Sequence, residues 1–308
     1  MAEQKTRLGL RIAGYVAFAL VSLVVAFFVT FPYEALKDRV RLEADNAGYF
    51  VRIGSLGPGF FALTASDVQV SKKADTDPPP EALKLDKVSV GPSLFPPGVQ
   101  VKVKGLGGTT SIVVGGLSTV KVKVDLDELD LSKGNVKGFT GIDFAGTLDA
   151  HVDLTLPKVA GAGNGPSEPD LSQASGTISL DTKGLTVNGG NVSVVIPQFG
   201  PDPTPLDLPK IALGEIVVRL KVDKGAGTVD DFKAKSSDLE AGLAGTLKLG
   251  KKVEYSDANL EVRVKPEAEF QKRLGLLGSA LSMIPSDPKD PTWRLGHLTG
   301  YLGKPQFR

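Results

Sequence analysis

The sequence contains no cysteine, two histidines and one tryptophan among its 308 residues. Without cysteine the chain can form no disulfide, no thiolate metal site and no iron–sulfur cluster. Two histidines leave little material for a zinc centre or a catalytic triad. Neither sign of charge is in excess, since 36 Lys and Arg face 35 Asp and Glu. This balance argues against a nucleic-acid binder, which normally carries a strongly basic surface.

The composition is that of a folded chain rich in turns. Hydrophobic residues make up 41% of the sequence, which is enough for a sizeable core in one or two domains. The 36 glycines and 21 prolines make long helical bundles improbable. An ordinary soluble enzyme is therefore not the first expectation.

An uncharged segment of 22 residues, 12–33, predicts a membrane anchor. About 20 apolar residues in a helix cross the roughly 30 Å hydrocarbon layer. The anchor positions include Ile12, Leu20, Val24, Phe28 and Tyr33. A cleaved signal peptide is the alternative, but its apolar part is usually shorter and ends at small residues, which are missing here.

The rest of the chain is expected on the far side of the membrane. Residues 1–11 form a short tail with Lys5, Arg7 and Arg11, and long domains translocate largely regardless of flanking charge. The N-terminus is therefore predicted to be cytoplasmic. A short helix is expected to continue after Pro32, with a stop near Asn46–Gly48.

From Phe50 onward the dominant period of hydrophobicity is two, which predicts antiparallel strands with one apolar and one polar face. The clearest case is Ile142–Leu156, where even positions are apolar and most odd positions are polar. The expected fold is all-β dominated: a single transmembrane helix, then a curved, repeated antiparallel sheet with one or two short packing helices. A packing helix is predicted at 267–284, where Phe270 and Leu274 begin an apolar stripe.

A degenerate repeat indicates similar hairpins stacked in series into one long sheet. Its members place Gly146, Gly176, Gly245 and, in a looser copy, Gly300 inside strand patterns. A glycine in a strand usually marks a bend, a bulge or a close backbone approach. These four residues are therefore predicted strand-bend glycines.

Proline- and glycine-rich stretches predict loops and a domain boundary. The loops are expected at 77–80, 91–98, 157–169, 197–209 and 285–291. The segment 161–170 has almost nothing to bury and is the predicted linker. It would separate a first β-rich region, 34–160, from a second one, 171–308.

No catalytic, cofactor or metal site is predicted, and the chain is not expected to be an enzyme. Asp149, His151 and Asp153 lie two apart on one strand face and could offer nitrogen and oxygen ligands to a metal. An exposed strand face carries polar residues without any such role, and this is the favoured interpretation. Gly245–Lys251 fits a phosphate-loop spacing but has Lys252 where Ser or Thr is needed, inside a strand pattern.

Several segments carry a resemblance to a known family. They are Leu208–Val222, Asp231–Leu239, Gly245–Leu249 and the ending Leu298–Arg308. The chain resembles the type II secretion system protein N family, in its form without cysteines, including the closing Gly-x-Leu-Gly-x-Pro-x-Phe pattern. Gly48–Leu56, just after the anchor, is similar to the start of the first sheet in AsmA-like proteins.

The resemblance implies a bacterial inner-membrane protein with a periplasmic β-rich body. It would be an accessory, structural part of the type II secretion system and would act by binding other secretion-system subunits and the inner-membrane bilayer. The AsmA-like resemblance implies an alternative, a periplasmic module that binds or transfers phospholipid in an apolar β-groove. The adaptor predicts that the apolar face is covered, whereas the lipid carrier predicts that it stays open.

Overall fold

The fold is dominated by one antiparallel sheet, seen here in a computed structural model. The structure describes residues 15, 18, 22, 26, 30–59, 61–72, 82–159, 168–194, 204–251, 255–274, 278, 284–303 and 306–307. These residues contain sixteen strands and few helical turns. The prediction of an all-β dominated chain with a long antiparallel sheet is confirmed.

The strands follow the period-two segments of the sequence because alternation lets each strand bury one face. Their bounds are β1 Tyr49–Pro58, β2 Leu63–Lys72, β3 Leu83–Leu94, β4 Pro97–Gly105, β5 Gly108–Gly115, β6 Thr119–Asp130, β7 Ile142–Val159, β8 Glu168–Pro169, β9 Ser175–Val194, β10 Thr204–Leu208, β11 Ile211–Asp223, β12 Ala226–Lys235, β13 Leu239–Lys248, β14 Asp257–Pro266, β15 Arg294–Tyr301 and β16 Gln306–Phe307.

Fourteen strands form a continuous path in which each strand pairs with the next one along the chain. The path runs from β1 to β7, on to β9, and from β11 to β16. The short strands β8 and β10 lie off this path and pair with β7 and β9. Within the described residues β1 and β16 do not pair with each other, so the sheet is open.

The sheet runs through both of the β-rich regions expected from the sequence. β7 and β9 pair along most of their length, from Ile142 opposite Gly190 to Thr155 opposite Ser175. Residues 161–167 of the predicted linker lie outside the described residues. At its end, Glu168 and Pro169 pair with β7 as β8.

Three of the expected loops contain strand residues, which corrects the prediction. In 157–169, the described residues 157–159 and 168–169 belong to β7 and β8. Of 91–98, only Phe95 and Pro96 lie between strands, because β3 continues to Leu94 and β4 begins at Pro97. The pairing of β2 with β3 ends at Val90, so beyond it β3 is an edge on that side. Prolines are tolerated at edges and at the first residue of a strand. In the expected loop 197–209, Thr204–Leu208 forms β10.

Three α-helices have both of their ends within the described residues. The first, α1, spans Tyr33–Asn46 and ends before Gly48, whose φ is +83°, as predicted. The second, α2, spans Val136–Thr140. The third, α3, spans Ala268–Arg273, a shorter run than the predicted 267–284; Gly278 is also helical, and 275–277 and 279–283 lie outside the described residues. Phe270 and Leu274 are buried, as expected of a packing helix.

Most of the predicted anchor lies outside the described residues. Of its named positions Ile12, Leu20, Val24 and Phe28 are not described, and Tyr33 is the first residue of α1. The described positions 15, 18, 22, 26 and 30 are helical. In the described part of the chain, no helix has the length and apolar character that crossing a membrane requires.

Candidate functional site: an amphipathic sheet with one open apolar part

The strand register aligns apolar side chains into continuous rows on one side of the sheet. Residues directly opposite each other in antiparallel strands share a face, so a chain of such pairs is a row across the sheet. The central row contains ten residues and no polar side chain: Pro58, Leu63, Val90, Val101, Ile112, Val124, Val152, Ile178, Leu220 and Val229. We call this side the apolar face.

The rows on either side of the central row are also without polar side chains, except for Thr110. One runs through Leu56, Ala65, Val88, Val103, Thr110, Leu126, Ala150, Leu180, Val218 and Phe232. The other runs through Pro92, Val99, Val114, Val122, Leu154, Gly176, Val222, Gly227, Leu247, Ala258 and Gly300. The apolar face is therefore at least three residues wide.

The opposite side of the sheet is polar along a row of nine residues. It runs through Thr64, Ser89, Lys102, Ser111, Asp125, His151, Ser179, Arg219 and Asp231. The two sides are thus chemically distinct across nine strands. An exposed polar side needs no further partner, whereas an apolar side of this extent does.

The apolar face is closed over one part of the sheet. Leu154 and Val222 are buried together with Ala174 and Leu249, and Val222 keeps only 2% of its surface exposed. The cover includes a short 3-10 helix, Leu171–Gln173, which leads into Ala174. The Asp170 carboxylate accepts hydrogen bonds from the hydroxyl and N–H of Ser172, and these lower the pKa of Asp170.

A second buried cluster lies at the other end of the strand order. It consists of Ile53, Ala65 and Val68 with partly buried neighbours such as Leu85. The loop before α2 lies beside this region, where the N–H of Lys84 donates to the carbonyl of Gly134 at 2.8 Å. The two clusters bound the middle of the apolar face on either side.

The part between the two clusters contains four exposed and two partly buried apolar residues, and we call it the open patch. It is formed by Val90, Leu94, Val99, Val101, Ile112 and Val114 on β3, β4 and β5. Val99 is 50% exposed, and Val90, Leu94 and Val114 are also exposed. Valine on a covered sheet face is ordinarily buried, so this patch is a surface available for a ligand or partner.

The four predicted strand-bend glycines all lie in strands and all have positive φ. The values are +114° for Gly146, +152° for Gly176, +124° for Gly245 and +89° for Gly300. Gly146 sits where the register of β7 against β9 shifts between Ala145 and Thr147. A side chain at Gly245 would overlap the carbonyl oxygen of Asn259 on the next strand.

The three residues weighed as metal ligands each engage a different neighbour. Nδ1 of His151 is hydrogen-bonded to Asp125, and the ammonium of Lys123 lies 3.1 Å from Asp153. Asp149 accepts a hydrogen bond of 2.7 Å from the N–H of Glu128. Within the described ranges, no group of three or more His, Asp or Glu side chains is placed to hold a metal ion.

The phosphate-loop spacing at 245–251 falls on strand structure. Residues 245–248 belong to β13, which pairs with β14 along its length. The N–H of Gly250 donates to Ser256 at 3.1 Å, so it is engaged within the β13–β14 connection.

Sequence reasoning missed the open patch and the turns beside it. The signal was the presence of Leu94, Phe95 and Leu117 among glycines and prolines, where turns usually carry polar residues. Phe95 is 94% exposed and Leu117 is 84% exposed.

Comparison with known proteins gives no relative from which a role could be transferred. The chain matches no protein-family model, no curated protein and no solved structure. The functional argument therefore depends on the residues and on the geometry of the sheet.

Proposed function

We propose that this chain is a membrane-anchored module that binds phospholipid acyl chains on the apolar face of its sheet. The observation that carries the proposal is the central row, ten apolar residues long, together with the open patch, where Val90, Val99 and Val114 are exposed. In this proposal residues 12–33 tether the chain to a bacterial inner membrane, and the sheet lies in the periplasm. The resemblance to AsmA-like proteins supports the same assignment.

The dimensions of the row suit an acyl chain. Ten strands spaced about 4.8 Å apart span roughly 43 Å. One leaflet of the hydrocarbon layer is roughly 15 Å deep, so several acyl chains could lie end to end along the row. The polar side of the sheet keeps the complex in water.

Photo-crosslinking in cells tests the proposal with a matched pair of positions. Val101 faces the open patch, and its neighbour Lys102 lies in the polar row. With p-benzoyl-phenylalanine at Val101 in the full chain, we expect radiolabelled phospholipid on the protein after irradiation. The same group at Lys102 should capture several-fold less. Equal capture at both positions, or none at Val101, would refute lipid binding on this face.

A second candidate is docking onto other subunits of a type II secretion system, as the sequence resemblance implies. It is favoured by the outer edge of β15, where β16 pairs only with Leu298 and Thr299. Leu295 on this edge already donates its N–H to the carbonyl of Pro285, so the part beside which the described residues supply no partner segment is Gly296–His297. Such an edge can accept a partner's strand.

A crosslinker at the exposed His297 examines this second candidate in cells that express the secretion apparatus. We expect a covalent adduct with a secretion-system subunit, and none from the exposed Lys221, which lies on the central strand β11. Adducts that contain only unrelated proteins, or that form equally at Lys221, would exclude docking through this edge.

A further inference from the structure

Three turns at the same end of the strands carry exposed apolar residues. They are the β1–β2 turn with Phe61, the β3–β4 turn with Phe95 next to Leu94, and the β5–β6 turn with Leu117. We call Phe61, Leu94, Phe95 and Leu117 the apolar rim. Helix α1 lies at the opposite end of the strands. It leads into Tyr49, which pairs with Lys72 at the end of β2 that is far from the β1–β2 turn.

The three turns are packed against one another. A Cβ on Gly91 would lie 2.8 Å from the carbonyl oxygen of Phe61, so the first turn touches β3 closely. The N–H of Gly116 donates to the carbonyl of Pro97 at 2.9 Å, which joins the second turn to the third. The ammonium of Lys158 donates to the carbonyl of Leu117 at 2.9 Å. These contacts to backbone carbonyls therefore hold the three turns together as one surface.

The charged residues nearest to the second and third turns along β4 and β6 are lysines, Lys102 on β4 and Lys121 and Lys123 on β6. The segment 87–124 contains no Asp or Glu, and its other two lysines, Lys87 and Lys104, lie towards the opposite end of the strands. Only Lys123 among them has a described ion pair, with Asp153. Lys158 adds a further positive charge at the tip of the third turn. Elsewhere the chain is close to neutral, so this segment is locally basic.

We propose that the apolar rim docks onto the surface of an anionic phospholipid bilayer. Exposed aromatic and aliphatic side chains flanked by lysines are the combination that inserts into the headgroup region of such a membrane. The rim is continuous with the open patch through Leu94 and Val99, so an acyl chain leaving the bilayer there reaches the apolar face directly. The inference deepens the proposed function and rests on it for this last step.

The absence of cysteine makes the docking surface measurable by single-site labelling. The full chain with Phe95→Cys or Leu117→Cys carries an environment-sensitive fluorophore, is reconstituted into unlabelled phosphatidylcholine vesicles, and is then mixed with separate vesicles of phosphatidylcholine and phosphatidylglycerol that carry spin-labelled phospholipid. Lys102→Cys in the polar row is the control, because it is exposed and lies in the middle of β4, between the two ends of the strands. The spin-labelled vesicles should quench both rim positions several-fold more than Lys102. Equal quenching at all three positions would overturn docking through the rim.

A second measurement separates this inference from the proposed function. The double variant Phe95→Ser with Leu117→Ser should keep its circular dichroism and melting temperature, since both side chains are almost fully exposed. It should lower phospholipid capture at Val101 several-fold, whereas Tyr255→Ser, also at an exposed aromatic, should not. Quenched rim positions without capture at Val101 would refute lipid binding but retain the docking. Full capture at Val101 with an unquenched rim would refute the docking alone.

Discussion

At the scale of single residues, Gly245 shows how tightly neighbouring strands approach in this sheet. Its φ of +124° is unfavourable for other residues, and a Cβ would overlap the carbonyl oxygen of Asn259. Gly242 lies on the same strand without either constraint, since a Cβ there would lie 3.7 Å from the nearest atom, on Arg263.

This contrast gives the first prediction. Gly245→Ala should lower the free energy of unfolding by about 1–3 kcal/mol, because the backbone must leave its conformation or the strands must separate. Gly242→Ala should change it by less than about 1 kcal/mol. Urea unfolding followed by circular dichroism measures both variants. Equal stability of the two would show that the positive φ is not required.

Asp238 is a second residue on which much of the local structure depends. It is buried, its carboxylate accepts the N–H of Ala212 at 2.7 Å, and it pairs with the guanidinium of Arg273 at the end of α3. It thereby ties α3 to the β12–β13 turn and to the start of β11. Asp231, by comparison, forms an exposed pair with Lys233.

We predict that Asp238→Ala costs about 1–3 kcal/mol of stability, since the N–H of Ala212 then loses its partner in a partly buried position. Asp231→Ala should cost under about 0.5 kcal/mol, as exposed ion pairs contribute little. Thermal melts of both variants give the comparison. A larger loss from Asp231→Ala would contradict the assignment.

At the scale of elements, the segment between α3 and β15 is held to β14 by one carboxylate. Asp287 pairs with Arg263 of β14, and Arg263 lies over the ring of Trp293, 5.2 Å from its centroid. The N–H of Lys289 and, less strongly, Arg263 lower the pKa of Asp287 below its ordinary value of 3.8. Trp293 is the sole tryptophan of the chain, so its fluorescence reports on this contact.

The lowered pKa sets the sign of a pH dependence. The folded state favours the ionised carboxyl of Asp287, so its contribution is present above the unfolded pKa and is lost as the pH falls through the lowered value. Trp293 fluorescence should stay constant from neutral pH to about pH 4 and change below it. Asp287→Asn should show the altered fluorescence already at neutral pH, and Asp231→Asn should not. An unchanged spectrum in Asp287→Asn would disprove the role of this carboxylate.

Elements with strict alternation were predictable from the sequence, whereas loop bounds were less so. Ile142–Leu156 lies within β7, and in its middle Ala150 and Val152 each have an apolar partner on both β6 and β9. The segment 91–98 was mistaken for a loop because its three prolines are ordinarily turn signals. Whether these prolines break β3 depends on where its pairing with β2 ends. That position is set by contacts between strands and not by the local sequence.

At the scale of the whole molecule, the two-sided sheet should make lipid binding depend on which side receives an introduced charge. Val101 lies in the open patch, and Val113 is the same residue type on the other side of the adjacent strand, opposite Gln100 and Lys123. We expect Val101→Asp to reduce the phospholipid that co-purifies with the full chain several-fold, because a carboxylate would interrupt the central row.

The control for this prediction is Val113→Asp, which places the same charge on the polar side and should retain the lipid. Lipid extraction followed by mass spectrometry measures the bound phospholipid in each variant, and circular dichroism checks that both fold. Equal lipid content in the two variants would mean that the apolar face does not hold the acyl chains.

The sequence by itself determined that the chain forms strands and that each strand has one apolar side, because side-chain direction alternates with a period of two. Only the tertiary structure decided that these sides join into rows, because register depends on contacts between strands. It also decided which part of the face stays open. Leu171 and Ala174 cover Val222 through chain distant from it in sequence, and no local pattern encodes the lack of such a cover over Val99.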